Sequence, residues 1–296
     1  MKILVSGASG VIGSALVRAA TAAGHTVTPL VRKRGVPSSV YWDPEAGSLD
    51  GASLEGTDAV VHLAGESIAS RRWTKAQKDR ILGSRVKSTQ LLASTLSRMK
   101  RCPAVMVSAS AIGIYGDCGD RILTENSPVG NDFLAGVCRE WERATAPASN
   151  AGIRVVLLRT GIVLAKDGGA LPKMVMPFKF GVGGKIGSGR QYMSWIDLDD
   201  EVQVVLHCLQ KESLRGPVNS VGPSPVTNSE FTKALGRALS RPSVLPLPAF
   251  AARLMLGEMA DALLLSSQRI EPDSLLASGY VFRSTNLEDT LRRILR

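Results

Sequence analysis

With 296 residues, 44% of them hydrophobic, the chain can bury a large core and does not have the composition of a disordered protein. Four cysteines and three histidines lie scattered, which argues against a disulfide framework and a metal site. The lack of a long apolar run or a leader points to a cytoplasmic protein with no membrane partner. A net charge of +10 suits an anionic partner, yet with aromatics at 5% and no nucleic-acid-binding motif the expected anions are a cofactor and a small-molecule substrate, with no nucleic acid.

Residues 3–13, Ile-Leu-Val-Ser-Gly-Ala-Ser-Gly-Val-Ile-Gly, read as a strand, a tight glycine turn and the start of a helix. Gly7 lets the chain leave the strand, Gly10 lets backbone N–H groups approach a pyrophosphate, and Gly13 lets the helix pack closely on the strand. Ser9, Val11 and Ile12 belong to the same turn, and a dinucleotide is the expected ligand.

The second strand, Thr26 to Val31, runs into Arg32-Lys33-Arg34, and no Asp or Glu lies between Gly13 and Asp43. In dinucleotide folds an acidic residue at this place holds the ribose 2′-hydroxyl of NAD, whereas a guanidinium pairs with a 2′-phosphate. The sequence therefore predicts NADP(H), with Arg32 the main contact and Lys33 a further one.

Further strands are expected at 59–63, 104–108 and 154–159, with helices at about 11–23, 75–99 and 131–151. That alternation is the order of an α/β protein with a Rossmann-type, doubly wound parallel sheet, its crevice at the C-terminal strand ends. Lys166 to Arg190 reads as a glycine-rich loop of the length of a substrate lid. A helix near 199–211, a strand near 217–220, a helix near 229–240 and helices from Pro248 onward, including 286–295, complete the chain. The expected division is an NADP(H)-binding Rossmann domain over 1–165, to which 191–220 partly returns. Residues 166–296 would form a loop-rich substrate lobe with a mostly helical C-terminal extension.

Several motifs stand in one order: Gly7-x-x-Gly10-x-x-Gly13, His62-Leu63-Ala64-Gly65, Ser108-Ala109-Ser110 with Ile114-Tyr115-Gly116, Thr124-Glu125-x-Ser127-Pro128, and Leu158-Arg159-Thr160-Gly161. In them the chain resembles the extended short-chain dehydrogenase/reductases of the nucleotide-sugar epimerase group. Trp42-Asp43, Arg72-Trp73, Gly83-Ser84-Arg85, Ile186-Gly187-Ser188-Gly189-x-Gln191, Trp195-Ile196 and the tail with Ser267-Gln268-Arg269-Ile270-x-Pro272 and Gly279-Tyr280-x-Phe282 are similar to an atypical subgroup. Its members go by the names of epimerase-family proteins or SulA-type cell-division inhibitors. The resemblance implies that Leu63, Ala64 and Gly65 pass the adenine-ribose side and that Arg85 reaches a phosphate. It also implies that Ser108 lies at the cofactor, that Thr160 to Val163 border the nicotinamide, and that Arg190, Gln191 and Trp195 face the substrate. It leaves a monomer and a homodimer built on the helices near 75–99 and 131–151 both open.

One part of the family pattern is absent. The superfamily uses a Tyr and a Lys one helical turn apart, the ammonium lowering the phenol pKa while the phenol exchanges a proton with substrate. With Glu142 aligned to the family's glutamate, those positions are Leu134 and Cys138, and no register of residues 131–142 supplies the pair. Two readings follow. In an enzyme with rearranged acid-base groups, Ser108 or Ser110 polarises a carbonyl and Tyr115 replaces the proton donor, with Lys173, Lys179 or Lys185 as its cation. In a non-catalytic, cofactor-responsive binding protein, the class to which the subgroup's cell-division name belongs, NADP(H) orders the 166–190 loop and the C-terminal lobe for a partner. The alternative for Tyr115 is a substrate-side or packing residue of the family's Tyr-Gly turn, and His62 reads as a packed imidazole in either case.

Overall fold

The computed structural model describes all 296 residues. In chain order, β1 (Lys2–Ser6), α1 (Val11–Ala22) and β2 (Thr26–Val31) form the first unit, extended by β3 (Val40–Asp43) and β4 (Ser48–Leu49). β5 (Ala59–His62), α2 (Lys75–Leu96), β6 (Val105–Ala111), β7 (Ile122–Leu123), α3 (Phe133–Arg143), α4 (Ala146–Asn150) and β8 (Arg154–Thr160) complete the alternating half. Then come β9 (Ile162–Leu164), α5 (Leu171–Lys179), β10 (Tyr192–Met193), β11 (Trp195–Asp197), α6 (Leu198–Gln210), β12 (Gly216–Ser220), β13 (Val226–Thr227) and α7 (Asn228–Leu239). The last stretch holds α8 (Ala249–Leu256), α9 (Glu258–Ala260), β14 (Arg269–Ile270), α10 (Asp273–Ala277) and α11 (Leu287–Leu295).

The main sheet has eight strands in the order β12-β8-β6-β5-β1-β2-β3-β4, and only the β3–β4 pairing is antiparallel. From β1 the chain builds outward to β4, then returns to the other flank of β1 and builds outward to β12. The order therefore reverses between β1 and β5, and the crevice outside their C-terminal ends is where an open α/β sheet binds its ligand.

Side chains alternate across the sheet, so each strand feeds two cores. Ile3 and Val5 join Leu16 and Ala20 of α1 and Val202, Val205 and Leu209 of α6. Leu4, Val60 and Met106 point the other way, onto Leu92 and Leu96 of α2 and Ala148 of α4. A third cluster, with Leu164, Phe178, Trp195, Phe231 and Leu291, joins the segments beyond β8. The C-terminal stretch is stitched to the start of α6: Asp200 accepts from Tyr280 Oη (3.1 Å), Arg283 N (3.0 Å) and Ser284 N (2.9 Å), and Asp197 takes Ser284 Oγ (2.8 Å) and the Arg293 guanidinium. No helix is long and apolar enough to cross a membrane.

The structure differs from the sequence reading at the sheet edge, in the 166–190 segment and over 131–151, and it adds the short strands β7, β9, β10, β11, β13 and β14. Val40–Asp43 and Ser48–Leu49 are strands at the sheet edge, too short to carry a period of their own. The expected loop over 166–190 contains α5, whose Pro172 in the first turn is compatible with a helix start and whose Pro177 sits near its end. The expected helix over 131–151 is two helices, broken at Ala144-Thr145 ahead of Pro147.

Candidate cofactor and active site

The turn after β1 is built by exclusion of side chains. Gly7 takes φ 71°, and a Cβ there would lie 2.8 Å from the Leu63 carbonyl carbon, so this glycine brings the ends of β1 and β5 into contact at the switch point. A Cβ on Gly13 would lie 2.1 Å from Gly7 O, which fixes the start of α1 against the strand. Gly10 differs: its Cβ would meet only Gly7 O, at 3.3 Å, and would otherwise stand in open space. Gly10 caps α1 without a side-chain acceptor, and no acidic residue lies in the first turn. The N–H groups of Val11, Ile12 and Gly13 therefore open onto that space at the positive end of the helix, with Ser9 exposed beside them. This cradle fits an anion approached by backbone, as a dinucleotide pyrophosphate is. Gly168, from the segment before α5, overhangs it: a Cβ there would come within 2.4 Å of Val11 Cγ2.

At the end of β2, Arg32 and Lys33 are exposed and pair with no carboxylate, while Arg34 stacks 4.2 Å from the ring centre of Tyr41. On the other flank, Leu63 N donates to Ser6 O (3.2 Å) and Glu66 N to Ser84 Oγ (3.0 Å), which fixes Ala64 and Gly65 beside the cradle. Arg85 Nη1 donates to Glu66 O (2.9 Å) and Ile81 O (3.1 Å), and its guanidinium stacks 4.9 Å from the ring centre of Trp141. Burial holds Arg85 below its ordinary pKa, with Glu66 among the groups opposing the shift. Arg85 thus braces the 63–66 loop, a role beyond the phosphate contact expected of it.

Beneath the crevice lies a buried polar layer. His62 is bonded through Nδ1 to Ser6 Oγ (2.6 Å) and through Nε2 to Thr89 Oγ1 (2.9 Å), and burial lowers its pKa to about 4, so it is a neutral packed imidazole. Ser108, next to it across the β5–β6 pairing, is buried and holds the single buried side-chain polar atom without a partner. Ser110 Oγ donates to Glu142 Oε1 at 2.7 Å. Tyr115 is 2% exposed; its hydroxyl donates to Asn219 Oδ1 (2.7 Å) and accepts from Arg159 Nη1 (3.0 Å). The cation beside Tyr115 is therefore Arg159, held by Glu142 at 2.9 Å, and none of the three loop lysines; Lys173 instead donates to Ala69 O (2.9 Å). Burial raises the Tyr115 pKa, and Arg159 opposes it. Leu134 packs where a Cβ on Gly113 would lie 3.3 Å from Leu134 Cβ, and the buried Cys138 thiol is pushed up to about 12 by desolvation. Neither side chain can replace the missing phenol and ammonium.

On the far side, Thr160 Oγ1 donates to Glu201 Oε1 (2.9 Å) and Ser220 Oγ to Glu201 Oε2 (2.6 Å), while Val163 packs against the first core. Burial pushes the Glu201 carboxyl up to about 7, against those two hydroxyl bonds. Of the residues expected to face substrate, Arg190 is exposed. Gln191 is buried and gives Nε2 to Ile186 O and Leu264 O, both at 3.0 Å. Trp195 has no exposed surface and donates Nε1 to Ser224 O at 2.9 Å, because β11 pairs with β9 inside the third core. Both hold the loop from within and do not line the crevice.

Arg72 and Glu125, in the Arg72-Trp73 and Thr124-Glu125 motifs, and Glu142 have roles that the sequence does not reveal. Arg72 crosses to the end of α8, donating to Met255 O (2.6 Å) and Leu254 O (2.7 Å). Glu125 Oε1 accepts from Asn219 N (3.0 Å) and Ser274 N (3.2 Å), joining β12 to the C-terminal stretch.

Residues 3–222 match the NAD dependent epimerase/dehydratase family, and residues 247–294 match a domain of unknown function, DUF1731. An epimerase family protein of Mycobacterium bovis is 45% identical over 98% of this chain and 96% of its own. The crystal structure of human epimerase family protein SDR39U1 with NADPH is 36% identical and superposes with a TM-score of 0.93 over 100% of this chain and 99% of that one. A nucleoside-diphosphate sugar epimerase from Corynebacterium glutamicum is 38% identical with a TM-score of 0.84, over 100% of this chain and 58% of that one. With the glycine cradle at the switch point and this match over most of its length, the chain belongs to the NAD dependent epimerase/dehydratase family, in an atypical branch that carries the DUF1731 segment.

Proposed function

We propose that this chain binds NADP(H) at the β1/β5 switch point and acts as an oxidoreductase or epimerase-like enzyme on a carbonyl or sugar-nucleotide-like substrate, without the Tyr-x-x-x-Lys pair. The observation that carries it is the end of β2, where exposed, unpaired Arg32 and Lys33 stand in the place of a ribose-binding carboxylate. NADPH in the human relative supports the same choice. Val11, Ile12 and Gly13 would receive the pyrophosphate on backbone N–H groups, the 63–65 loop would pass the adenine-ribose side, and Thr160 and Val163 would border the nicotinamide. The bound nicotinamide would give or take a hydride. Residues 1–165 would supply the cofactor half and 166–296 the substrate side, with Arg190 the remaining contact expected there. Of the three candidate groups only the Ser108 hydroxyl lacks a protein partner, since Ser110 is held by Glu142 and Tyr115 by Asn219; it is buried, so it would donate only to a carbonyl oxygen that enters the layer beneath the crevice.

A second reading is favoured by α3. Leu134 and a protonated Cys138 leave no acid-base group on the helix that normally carries it, as expected of a non-catalytic, cofactor-responsive binding protein. Titration calorimetry with NADPH and NADH on wild type and Arg32→Glu, followed by a carbonyl and nucleotide-sugar turnover screen, separates the two. Tighter NADPH binding, lost in Arg32→Glu, supports the site. Turnover abolished in Ser108→Ala supports the enzyme, binding without turnover supports the second reading, and no binding of either nucleotide overturns both.

A further inference from the structure

We infer that the face formed by the segment around α5 and by α8 docks peripherally on an anionic lipid bilayer. Residues 168–196 and 231–257 contain no Asp or Glu, in a chain that has 26. The two segments are one surface, because Leu245 N donates to Gly183 O (3.2 Å), Leu247 N to Lys185 O (2.9 Å) and Gly187 N to Leu247 O (2.9 Å). On it stand more than half of the molecule's exposed large hydrophobic side chains, among them Phe180 (75% exposed), Val244 (75%), Phe250 (72%) and Leu254 (79%).

A monomer leaves such a patch exposed when something covers it. Side chains exposed to this degree protrude, so they offer no groove for a peptide, while protrusion suits insertion among lipid acyl chains. Phe250 and Leu254 lie one helical turn apart on α8 and project together, with Ala252 turned into the protein. Lys179, Lys185 and Arg241 adjoin these side chains in sequence or through the pairing above, and none has a carboxylate partner. Next to Val244 an open depression of about 340 Å³ is lined by Lys233, Arg241, Ser240 and Ser243, a donor set suited to a phosphate headgroup, with Arg237 at its edge held by Glu288 at 2.6 Å. A second copy would bring this cationic rim against itself, which opposes self-association through the same face. An anionic bilayer satisfies both the apolar and the basic parts, and it needs no membrane-spanning helix.

The test is flotation of the full chain with vesicles of phosphatidylcholine alone or mixed with phosphatidylglycerol, at low and high salt. Binding is expected to the mixed vesicles only and to weaken with salt. Lys179→Glu/Lys185→Glu should lower partitioning by about tenfold or more, and Phe250→Ser/Leu254→Ser should abolish it, with thermal midpoints of both variants showing that they fold. Should one pair unfold the protein, the other decides. Equal binding to neutral vesicles, binding that survives both pairs of substitutions, or no binding at all overturns the proposal. So does a dimer in light scattering that Phe250→Ser/Leu254→Ser converts to monomer without any vesicle binding.

Discussion

The phenol of Tyr115 donates to Asn219 Oδ1 at 2.7 Å, from the turn after β6 to β12, past the intervening β8. Arg159 Nη1 donates to the Tyr115 hydroxyl oxygen at 3.0 Å, so the tyrosine at this strand end, the candidate to replace the family's proton donor, is spent on holding β6, β8 and β12 together. Removing its hydroxyl leaves a buried acceptor and a buried guanidinium donor each short of a partner. Tyr115→Phe is expected to lose about 1–3 kcal/mol in urea unfolding, with nucleotide affinity unchanged. A variant of normal stability that has lost nucleotide binding or turnover would return Tyr115 to the chemistry.

The three glycines of the cradle make separable predictions. Gly13→Ala puts a methyl 2.1 Å from Gly7 O, so the turn must move, and both stability and nucleotide binding should fall. Gly10→Ala meets only Gly7 O at 3.3 Å, and Gly10 has φ −75°, which alanine adopts freely. It should therefore lose much less stability than Gly13→Ala and bind NADPH at least about tenfold more weakly, ~1.4 kcal/mol. Normal affinity in Gly10→Ala would mean that no pyrophosphate lies against the start of α1.

What could be read from the sequence follows from the range over which each signal acts. β1, α1 and β2 announce themselves locally, since a run of apolar residues, glycines at 7, 10 and 13 and a basic strand end all lie within 34 residues of the N-terminus. α5 was hidden because Pro172 and Pro177 are breakers by themselves and become tolerable only through their places in the helix and the packing of Leu171, Val175 and Phe178 into the third core. The fates of Tyr115, Gln191 and Trp195 are set by partners 104, 73 and 29 residues away, at a range where no periodicity operates. Ser110 stands out in the sequence for its hydroxyl, and its bond to Glu142 depends on how α3 lies against β6.

Glu201 and His62 should give the protein opposed pH responses. Burial raises the Glu201 carboxyl from 4.5 to about 7, so its contribution to stability is full below 4.5 and is lost as pH rises through about 7. Burial lowers the His62 imidazole from 6.5 to about 4, so its contribution is present above 6.5 and is lost as pH falls towards about 4. Each amounts to roughly 3 kcal/mol, and between 4.5 and 6.5 the two slopes oppose one another. Urea unfolding across this range should show Glu201→Gln gaining stability relative to wild type as pH rises, and His62→Gln gaining relative to wild type as pH falls. Difference curves without slope would show that neither group titrates in this way.

Arg72 joins the segment after β5 to the end of α8, which otherwise touch through few polar groups. Its fork donates to the last carbonyls of the helix, Leu254 O and Met255 O, where a cation also complements the negative end of the helix dipole. The helix stops there because Gly257 turns the chain at φ 62°, leaving those carbonyls without helical donors. Lys173 reaches the same segment at Ala69 O, so loop 66–73 is tied to both α5 and α8 at the mouth of the crevice. Arg72→Ala is expected to raise amide hydrogen exchange in 66–73 and 249–256 while β1, β5 and β6 keep their protection. The global loss should stay within about 1 kcal/mol, because the contact is exposed. Arg72→Lys should restore only part of the protection, since an ammonium lacks the planar fork that reaches two carbonyls at once. Exchange that rises nowhere in Arg72→Ala would mean that loop and lobe are held by packing alone.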